Sequence, residues 1–477
     1  MFLYNFKYEL KLLIRNKWIQ VLSVIIIINM LFAGYNGKQK VDKRNADIEN
    51  ITNKVSQEDQ LMLLQLDSIK QGHTVNLSKW RVPTSPMAVG NYHPRVAAMQ
   101  PHDMAFVAIG QSDLFTHYTR PKVVDNSLTI KHTEMTSPVQ LLFGSFDLAF
   151  VVIYLLPLII IAFTYNILSQ EKESGSLRLL ASQPLSIRNW VLQKVILRFF
   201  WLVLITILVL TVVFVINEFS FSENLGAFVS CIILVVAYMM FWFALAFAIN
   251  LFGKSSAKNA MSLLGLWIVF VLLIPAIMGQ LSSSFYPIPS RTKMLNEMRA
   301  LKAETTKKQD KILDNFLRDH PEYASKDDQG KTSFWHRYMA SQRIINDELS
   351  LLQDKYDGQL RKQHELIQQF QYTSPAIIVQ QSLNAMAGTS STNYEDYRNQ
   401  VASFAQQWQD FFIPLLYKNK EFTKEQYADF PKFTYQSEAE VTITTKIAVL
   451  VLFTLLITMI GWGAFRLNAK KGLVILS

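Results

Sequence analysis

Six long apolar blocks, separated by polar segments, dominate the hydrophobic pattern of the chain. An α-helix needs roughly 20 apolar residues to cross the hydrocarbon core of a bilayer. Each block approaches or exceeds that length, so the pattern predicts a predominantly α-helical membrane protein with a six-helix bundle. The predicted transmembrane helices are 19–35, 148–168, 199–216, 225–252, 261–281 and 447–467.

The N-terminal segment 1–18 is amphipathic. Apolar residues such as Phe6 and Leu10 share one helical face, while Lys7 and Lys11 lie largely elsewhere. This pattern is typical of a helix that lies in the membrane interface, and it predicts an interfacial elbow helix before the first span. An ordinary basic flank of that span is the alternative interpretation.

Lys and Arg are distributed unequally among the short connecting segments. They are frequent in 169–198, in 253–260 and around the tail 468–477, whereas 217–224 contains acidic residues and no Lys or Arg. Basic connections stay in the cytoplasm, so six helices predict that both termini are cytoplasmic. The net charge of +10 fits this bias, and nothing in the sequence indicates a nucleic-acid partner.

Two long segments, 36–147 and 282–445, are predicted to lie on the opposite side of the membrane. The first begins with a polar, helix-compatible stretch through about Gln71 and then becomes irregular and rich in proline. We expect a small mixed α/β domain there. In the second, apolar residues recur at intervals of three and four in 291–318 and 333–370. Because the gap between these stretches is polar, this domain is predicted to be mainly an α-helical hairpin.

The sequence contains no recognisable catalytic constellation. A P-loop needs a glycine five residues before its Gly-Lys-Ser/Thr ending, and Ala248 and Ser325 stand at those positions before Gly253 and Gly330. The histidines of the first outer segment match no compact metal-ligand spacing, and the single cysteine, Cys231, lies inside an apolar block. We therefore expect no enzyme activity, no metal and no cofactor in this chain.

The most informative segment, 170–186, connects the second and third predicted helices. An interfacial turn that merely joins two helices is one interpretation of it. Its residues, however, resemble the Glu-x-Glu-x-Gly-[Ser/Thr]-Leu…Leu-x-x-Gln-Pro signature of ABC-2 type permeases. In that family this region includes the cytoplasmic coupling helix that contacts the ATPase subunit. The resemblance implies an ATPase-coupling role for Glu171, Glu173, Gly175, Ser176, Leu177, Leu180, Gln183 and Pro184.

Two further motifs carry a resemblance. The motif before the second helix resembles the same permeases and comprises Pro138, Gly144 and Asp147. Asp147 is interpreted as a helix-start residue, with an interface contact as the alternative. The motif in the second outer segment resembles an uncharacterised bacterial branch with two large periplasmic insertions. It comprises Pro375, Leu383, Asn384 and Gly388.

The resemblance implies a permease subunit in a bacterial inner membrane. It implies two permease chains, identical or homologous, and two ATPase subunits that bind ATP and Mg. Movement of the coupling helices on ATP binding would drive export. A periplasmic protein and membrane lipids are further expected partners. The alternative is an ATP-driven scaffold or mechanical transmitter, which would act on a periplasmic partner without moving a substrate through the bundle.

Overall fold

The computed structural model describes residues 2–15, 17–78, 81–110, 112, 116–124, 145–175, 187–252, 255–288, 291–307, 315, 318, 334–418, 420–437 and 443–470. These residues are mostly helical. The helices, in chain order, are α1 (Phe2–Arg15), α2 (Lys17–Lys70), α3 (Pro86–Tyr92), α4 (Leu148–Phe150 and Leu156–Thr164, joined by a π-helical turn), α5 (Ser169–Glu173), α6 (Ile187–Ile216), α7 (Phe221–Phe252), α8 (Ser256–Trp267 and Ile274–Phe285, joined in the same way), α9 (Arg291–Lys307), α10 (Phe334–Gln369), α11 (Pro375–Met386), α12 (Ser391–Tyr417) and α13 (Ile443–Lys470).

Six helical segments are long and apolar enough to cross a membrane, which confirms that prediction. They belong to α2, to α4 with α5, and to α6, α7, α8 and α13. Their burial differs widely. In the apolar windows of α4 and α7, 67% and 72% of the residues are buried, against 11% in both α8 and α13. Therefore α4 and α7 form the interior of the bundle, and α8 and α13 lie at its periphery.

The first membrane helix, α2, does not end with its apolar block. It continues unbroken to Lys70 as one helix of 54 residues, about 80 Å long. The polar stretch that follows the apolar block contains no proline, so the expected helix-compatible stretch does form a helix. Gly37 allows close packing here, because a Cβ at this position would lie 2.3 Å from the carbonyl oxygen of Phe106.

Proline interrupts the backbone hydrogen bonds of α4. A π-helical turn, Val151–Leu155, precedes Pro157, which has no N–H to donate to the carbonyl of Ile153 four residues earlier. Tyr238 of α7 donates its hydroxyl to this carbonyl at 3.0 Å. The hydroxyl replaces the missing backbone donor and joins the two most buried membrane helices.

A similar arrangement occurs in α8. Its π-helical turn, Ile268–Leu273, pairs residues five apart, so Pro275 leaves the carbonyl of Phe270 without a backbone donor. Ser374, immediately before α11, donates its hydroxyl to that carbonyl. A segment from the outer part of the chain therefore reaches the middle of a membrane helix.

Beyond α2, the first outer segment has little regular structure in its described part. It contains α3 and one antiparallel strand pair, β1 (Ala97–Ala98) and β2 (Tyr118–Thr119). Pro94, Pro101 and Pro121 lie around these strands and cannot donate to a strand ladder. The expected mixed α/β character is thus reduced, among the described residues, to a strand pair two residues long.

The second outer segment is helical throughout most of its described part. α9 packs against α10, and most of the connection between them, 308–333, lies outside the described residues. α10 also packs along α8. α11 then lies among α4, α7, α8 and α13, while α12 returns outward and its Trp408 and Phe412 pack on Met62 and Leu66 of α2.

Replacing Tyr238 by Phe removes the hydroxyl that bonds Ile153 and leaves the ring in place. Hydrogen bonds between membrane helices contribute roughly 0.6–1.7 kcal/mol, so Tyr238→Phe should lower the free energy of unfolding by about 1 kcal/mol. Unfolding of the purified protein in mixed detergent micelles measures this difference. Tyr92→Phe, at an exposed position of α3, is the control. Equal losses in the two variants would contradict the role given to Tyr238.

Candidate functional site

Two acidic residues of α5 bind α6 and α8 at one edge of the bundle, and α1 is connected to them through Lys194. We call this group the α5 clamp: Glu171 and Glu173 with Glu9, Lys194 and Ser256. Glu171 Oε1 accepts a hydrogen bond from Lys194 Nζ of α6 at 3.1 Å, and the same ammonium lies 3.4 Å from Glu9 Oε1 of α1. The Lys194 side chain is only 9% exposed. Because a buried cation strongly requires its counter-charges, α1, α5 and α6 are linked here.

Glu173 makes the second connection of the α5 clamp. Its Oε1 accepts a hydrogen bond from Ser256 N at 2.7 Å, and its Oε2 accepts one from Ser256 Oγ at 2.9 Å. Ser256 is the first residue of α8. The carboxylate therefore lies at the positive end of a helix dipole and satisfies an amide that has no partner within the helix. Through this contact, α5 is coupled to α8.

Buried amide side chains fix the turn between α4 and α5. Asn250 Nδ2 donates to Thr164 O at 2.7 Å, and Asn250 Oδ1 accepts from Leu168 N at 3.3 Å. Asn259 Nδ2 donates to Tyr165 O at 3.0 Å. The chain leaves the helical pattern in this turn, and side chains of α7 and α8 satisfy its backbone groups. The position of α5 relative to the bundle is thus determined by hydrogen bonds.

The structure describes only part of the predicted ATPase-coupling segment. Glu171 and Glu173 belong to the α5 clamp. Gly175, which follows α5, has a φ of +75°, a left-handed conformation that glycine adopts without strain. The predicted coupling residues outside the described part are Ser176, Leu177, Leu180, Gln183 and Pro184.

Sequence reasoning missed the partners of these acidic residues. Lys194 lies in the basic segment 169–198 that orients the helices, and neither Glu9 nor Ser256 belongs to a recognised motif. A signal was present, because Lys194 stands between the apolar residues Trp190 and Val195 in a helical stretch. A cation in such a position requires a counter-charge. The pattern does not say which acidic residue supplies it.

Asp147 joins α4 to the first outer segment. It is the N-cap of α4: its Oδ1 accepts a hydrogen bond from Phe150 N at 2.8 Å. Its Oδ2 accepts a second bond, also 2.8 Å long, from Ile109 N. One buried carboxylate therefore both starts a membrane helix and holds the outer loop 107–110 against it.

The motif of the second outer segment reaches the same loop. Thr389 Oγ1 donates to Ala108 O at 2.7 Å, and the side-chain amide of Asn384 lies beside Gly110. Together with Asp147, these residues form what we call the outer junction. It brings together two motifs that lie far apart in the sequence.

Other motif residues support the outer junction through the backbone. Gly388 has a φ of +66°, and a Cβ there would lie 3.0 Å from the Cβ of His102. Glycine therefore suits this position in both conformation and size. Pro375 is the first residue of α11, and Leu383 is buried within it. Motif residues outside the described part are Pro138 and Gly144.

The outer junction changes the acidity of its carboxyl group. Burial raises the pKa of Asp147 to about 6, although backbone amides such as those of Phe150 and Ile109 donate to the carboxylate. Removal from water disfavours the charged form, and here this effect exceeds the stabilisation from the hydrogen bonds. The protonation state of Asp147 is therefore sensitive to mildly acidic conditions.

In comparison with known proteins, residues 291–436 match a family described as a domain of unknown function, DUF3526. This part of the chain contains α9 to α12 and the outer motif with Asn384 and Gly388. No curated protein matches the chain. The fold defines the class as a multi-pass membrane protein with six candidate spanning helices. The match adds that its second outer segment is similar to the DUF3526 family.

The raised pKa predicts how stability depends on pH. The pKa of Asp147 in the folded protein, about 6, lies above its unfolded value. The resulting stabilisation is complete below about pH 4 and is lost as the pH rises to about 6. Asp147→Asn should remove this loss, so the melting temperature should depend less on pH in the variant than in the wild type.

Thermal unfolding across this pH range is the measurement. Asp103→Asn, at an exposed position of the same outer segment, is the control and should keep the wild-type dependence. An Asp147→Asn variant that retained the full dependence would show that another group titrates.

Proposed function

We propose that the chain is the permease subunit of an ATP-driven ABC-2 type transporter in a bacterial inner membrane, with both termini in the cytoplasm. The observation that carries the proposal is the α5 clamp. A short helix at the edge of the bundle contacts α6 and α8 through two carboxylates, and Lys194 of α6, which also pairs with Glu9, connects it to α1. A partner that displaced α5 would therefore move several membrane helices together.

The energetics of the clamp favour movement as a unit. Removing one partner of a buried ion pair costs roughly 3–5 kcal/mol, because the other charge is left uncompensated. Lys194 is almost fully buried between Glu171 and Glu9. A displacement of α5 is thus transmitted to α6 at lower cost than the pair can be broken. The bonds of Glu173 do the same for α8.

The energy source is assigned to a separate subunit. We propose two ATPase subunits that bind ATP and Mg and two permease chains, identical or homologous. ATP binding would move α5 and drive export. A substrate route would then lie between the two permease chains. The peripheral position of α8 and α13, with 11% of their apolar windows buried, leaves helical surface for a second chain.

A mechanical role without substrate transport is the second candidate, and the course of α2 favours it. This helix runs from the membrane to the outer end of the molecule. There Asp59 pairs with Arg95 and accepts a hydrogen bond from Tyr427 at 3.2 Å, and Asp67 pairs with Lys424 at 2.7 Å. Movement at the base of α2 would reach the outer region directly and act on a periplasmic partner.

Purification of the tagged chain from native membranes tests the proposed assembly. We expect mass spectrometry to find a stoichiometric ABC ATPase together with the chain. A second permease in the same fraction would indicate a heterodimer. Recovery without any ATPase, under conditions that keep ABC complexes intact, would contradict the permease proposal.

Variants of the α5 clamp test the coupling. Glu171→Gln with Glu173→Gln removes both charges and keeps the side-chain size. We expect the complex to assemble but the permease-dependent stimulation of ATPase activity to fall about tenfold, within the usual range of coupling energies. Glu223→Gln, near the start of α7, is the matched control. Unchanged stimulation in the double variant would refute the coupling role.

A further inference from the structure

Exposed apolar residues form one stripe along the membrane part of α2, which we call the α2 stripe. They recur at alternating intervals of three and four residues, which places them on one face of the helix. The opposite face, which includes Ile26 and Met30, is buried in the bundle. The α2 stripe therefore faces away from the bundle. Its members are Trp18, Val21, Ile25, Ile28, Phe32 and Tyr35.

The two ends of the α2 stripe mark the two surfaces of the bilayer. Positions 18 and 35 are 17 residues apart, about 26 Å along a helix, which approaches the roughly 30 Å of a hydrocarbon core. Trp and Tyr are enriched at membrane interfaces, where their rings lie among the headgroups. Trp18 and Tyr35 are 59% and 56% exposed. Trp18 therefore marks the headgroup level at the N-terminal end of α2.

The last turn of α1 lies at the same level. α1 ends at Arg15, and α2 begins at Lys17, next to Trp18. Gln20 in the first turn of α2 donates Nε2 to Ile14 O at 2.6 Å. This bond holds the end of α1 beside the start of α2, so the headgroup region around Trp18 also surrounds the end of α1.

Three exposed cations in this region have no counter-charge among the described residues. Lys11, Arg15 and Lys17 are exposed, and no ion pair joins any of them to another described residue. Glu9 is the only acidic residue between positions 1 and 41, and it lies 3.4 Å from Lys194 Nζ. The three positive charges are therefore available to an anionic surface outside the chain.

The cations of α1 point away from the bundle. Leu13 is buried in the bundle and marks the inner face of α1. Lys11 and Arg15 are each two positions from Leu13, which corresponds to a rotation of about 200° about the helix axis. Exposed apolar residues flank them on both sides, Leu12 and Ile14. A helix face that combines cations with apolar side chains is typical of binding to an anionic lipid surface.

We propose that the outer face of α1 binds anionic phospholipids. Their phosphate groups contact Lys11, Arg15 and Lys17, while Leu12 and Ile14 lie at the boundary with the acyl chains. Zwitterionic lipids carry a cationic group beside the phosphate and therefore balance these charges poorly. The binding goes beyond the proposed ATPase coupling and does not depend on it. Because α1 also belongs to the α5 clamp, bound lipid holds one member of the clamp in place.

Quenching by brominated lipids tests the lipid class at α1 itself. Leu12→Cys carries a bimane fluorophore, and the native Cys231 stays unlabelled because it is 1% exposed. The labelled chain is placed in nanodiscs of phosphatidylcholine with increasing fractions of brominated phosphatidylglycerol or, separately, of brominated phosphatidylcholine. The two quenching curves give the relative affinities of the two lipids for the surface beside α1.

We expect phosphatidylglycerol to bind this surface about tenfold more tightly than phosphatidylcholine. One basic residue near an anionic surface contributes roughly a fivefold preference, and salt screens part of the sum. Replacing Lys11, Arg15 and Lys17 together by Gln should reduce the preference to less than about twofold. Unchanged quenching by brominated phosphatidylcholine in this variant shows that α1 still contacts lipid.

The matched control removes the same number of charges elsewhere. Lys54, Lys418 and Lys420 are exposed in the outer region, so replacing them by Gln should leave the preference unchanged. Equal affinities of the two lipids for the chain with native α1 cations, or a full preference in the α1 variant, would overturn the proposal. Absence of quenching by either lipid would also overturn it, because lipid would then not lie beside α1. Ile14→Cys provides the same readout if Leu12→Cys does not fold.

Discussion

The membrane interior offers no hydrogen-bond partners, and the arrangement of the bundle depends on satisfying this constraint. Pro157 and Pro275 each leave a carbonyl without its backbone donor. Tyr238 supplies a hydroxyl to the first, and Ser374 supplies one to the second. The first bond joins two inner helices, and the second draws a piece of the outer region into the bundle. Two interruptions of the backbone thus determine which elements become neighbours.

α8 connects the two regions where the motifs lie. Its first residue, Ser256, is held by Glu173 of the α5 clamp, and its midpoint holds Ser374 before α11. α11 leads directly to the outer junction, where Thr389 bonds the loop that Asp147 also holds. A continuous path of hydrogen bonds and two helices, α8 and α11, therefore extends across the molecule. α8 is peripheral, whereas α11 packs among α4, α7, α8 and α13.

The six membrane helices were predictable because hydropathy is summed over about 20 residues and the bilayer sets the required length. The acidic pair of α5 was found through a resemblance, but its partners were not. Lys194 is distant from Glu171 in sequence, and only the packed bundle selects this pairing. The depth of α11 was not predictable either. Its short apolar run, Ala376–Val379, is equally typical of a helix in a soluble domain.

The unbroken course of α2 has a consequence for how the chain tolerates insertions and deletions. Successive residues of a helix are rotated by about 100°, so adding or removing one residue turns everything beyond it by that angle. Ile26 and Met30 are buried in the membrane bundle, and Met62 and Leu66 are buried in the outer cluster. The face of α2 buried in the membrane bundle and the face buried in the outer cluster must therefore keep a fixed angle to each other about the helix axis. Inserting or deleting one residue between these two buried sets would therefore turn one of them away from its packing partners. A loop at the same place would tolerate such a change.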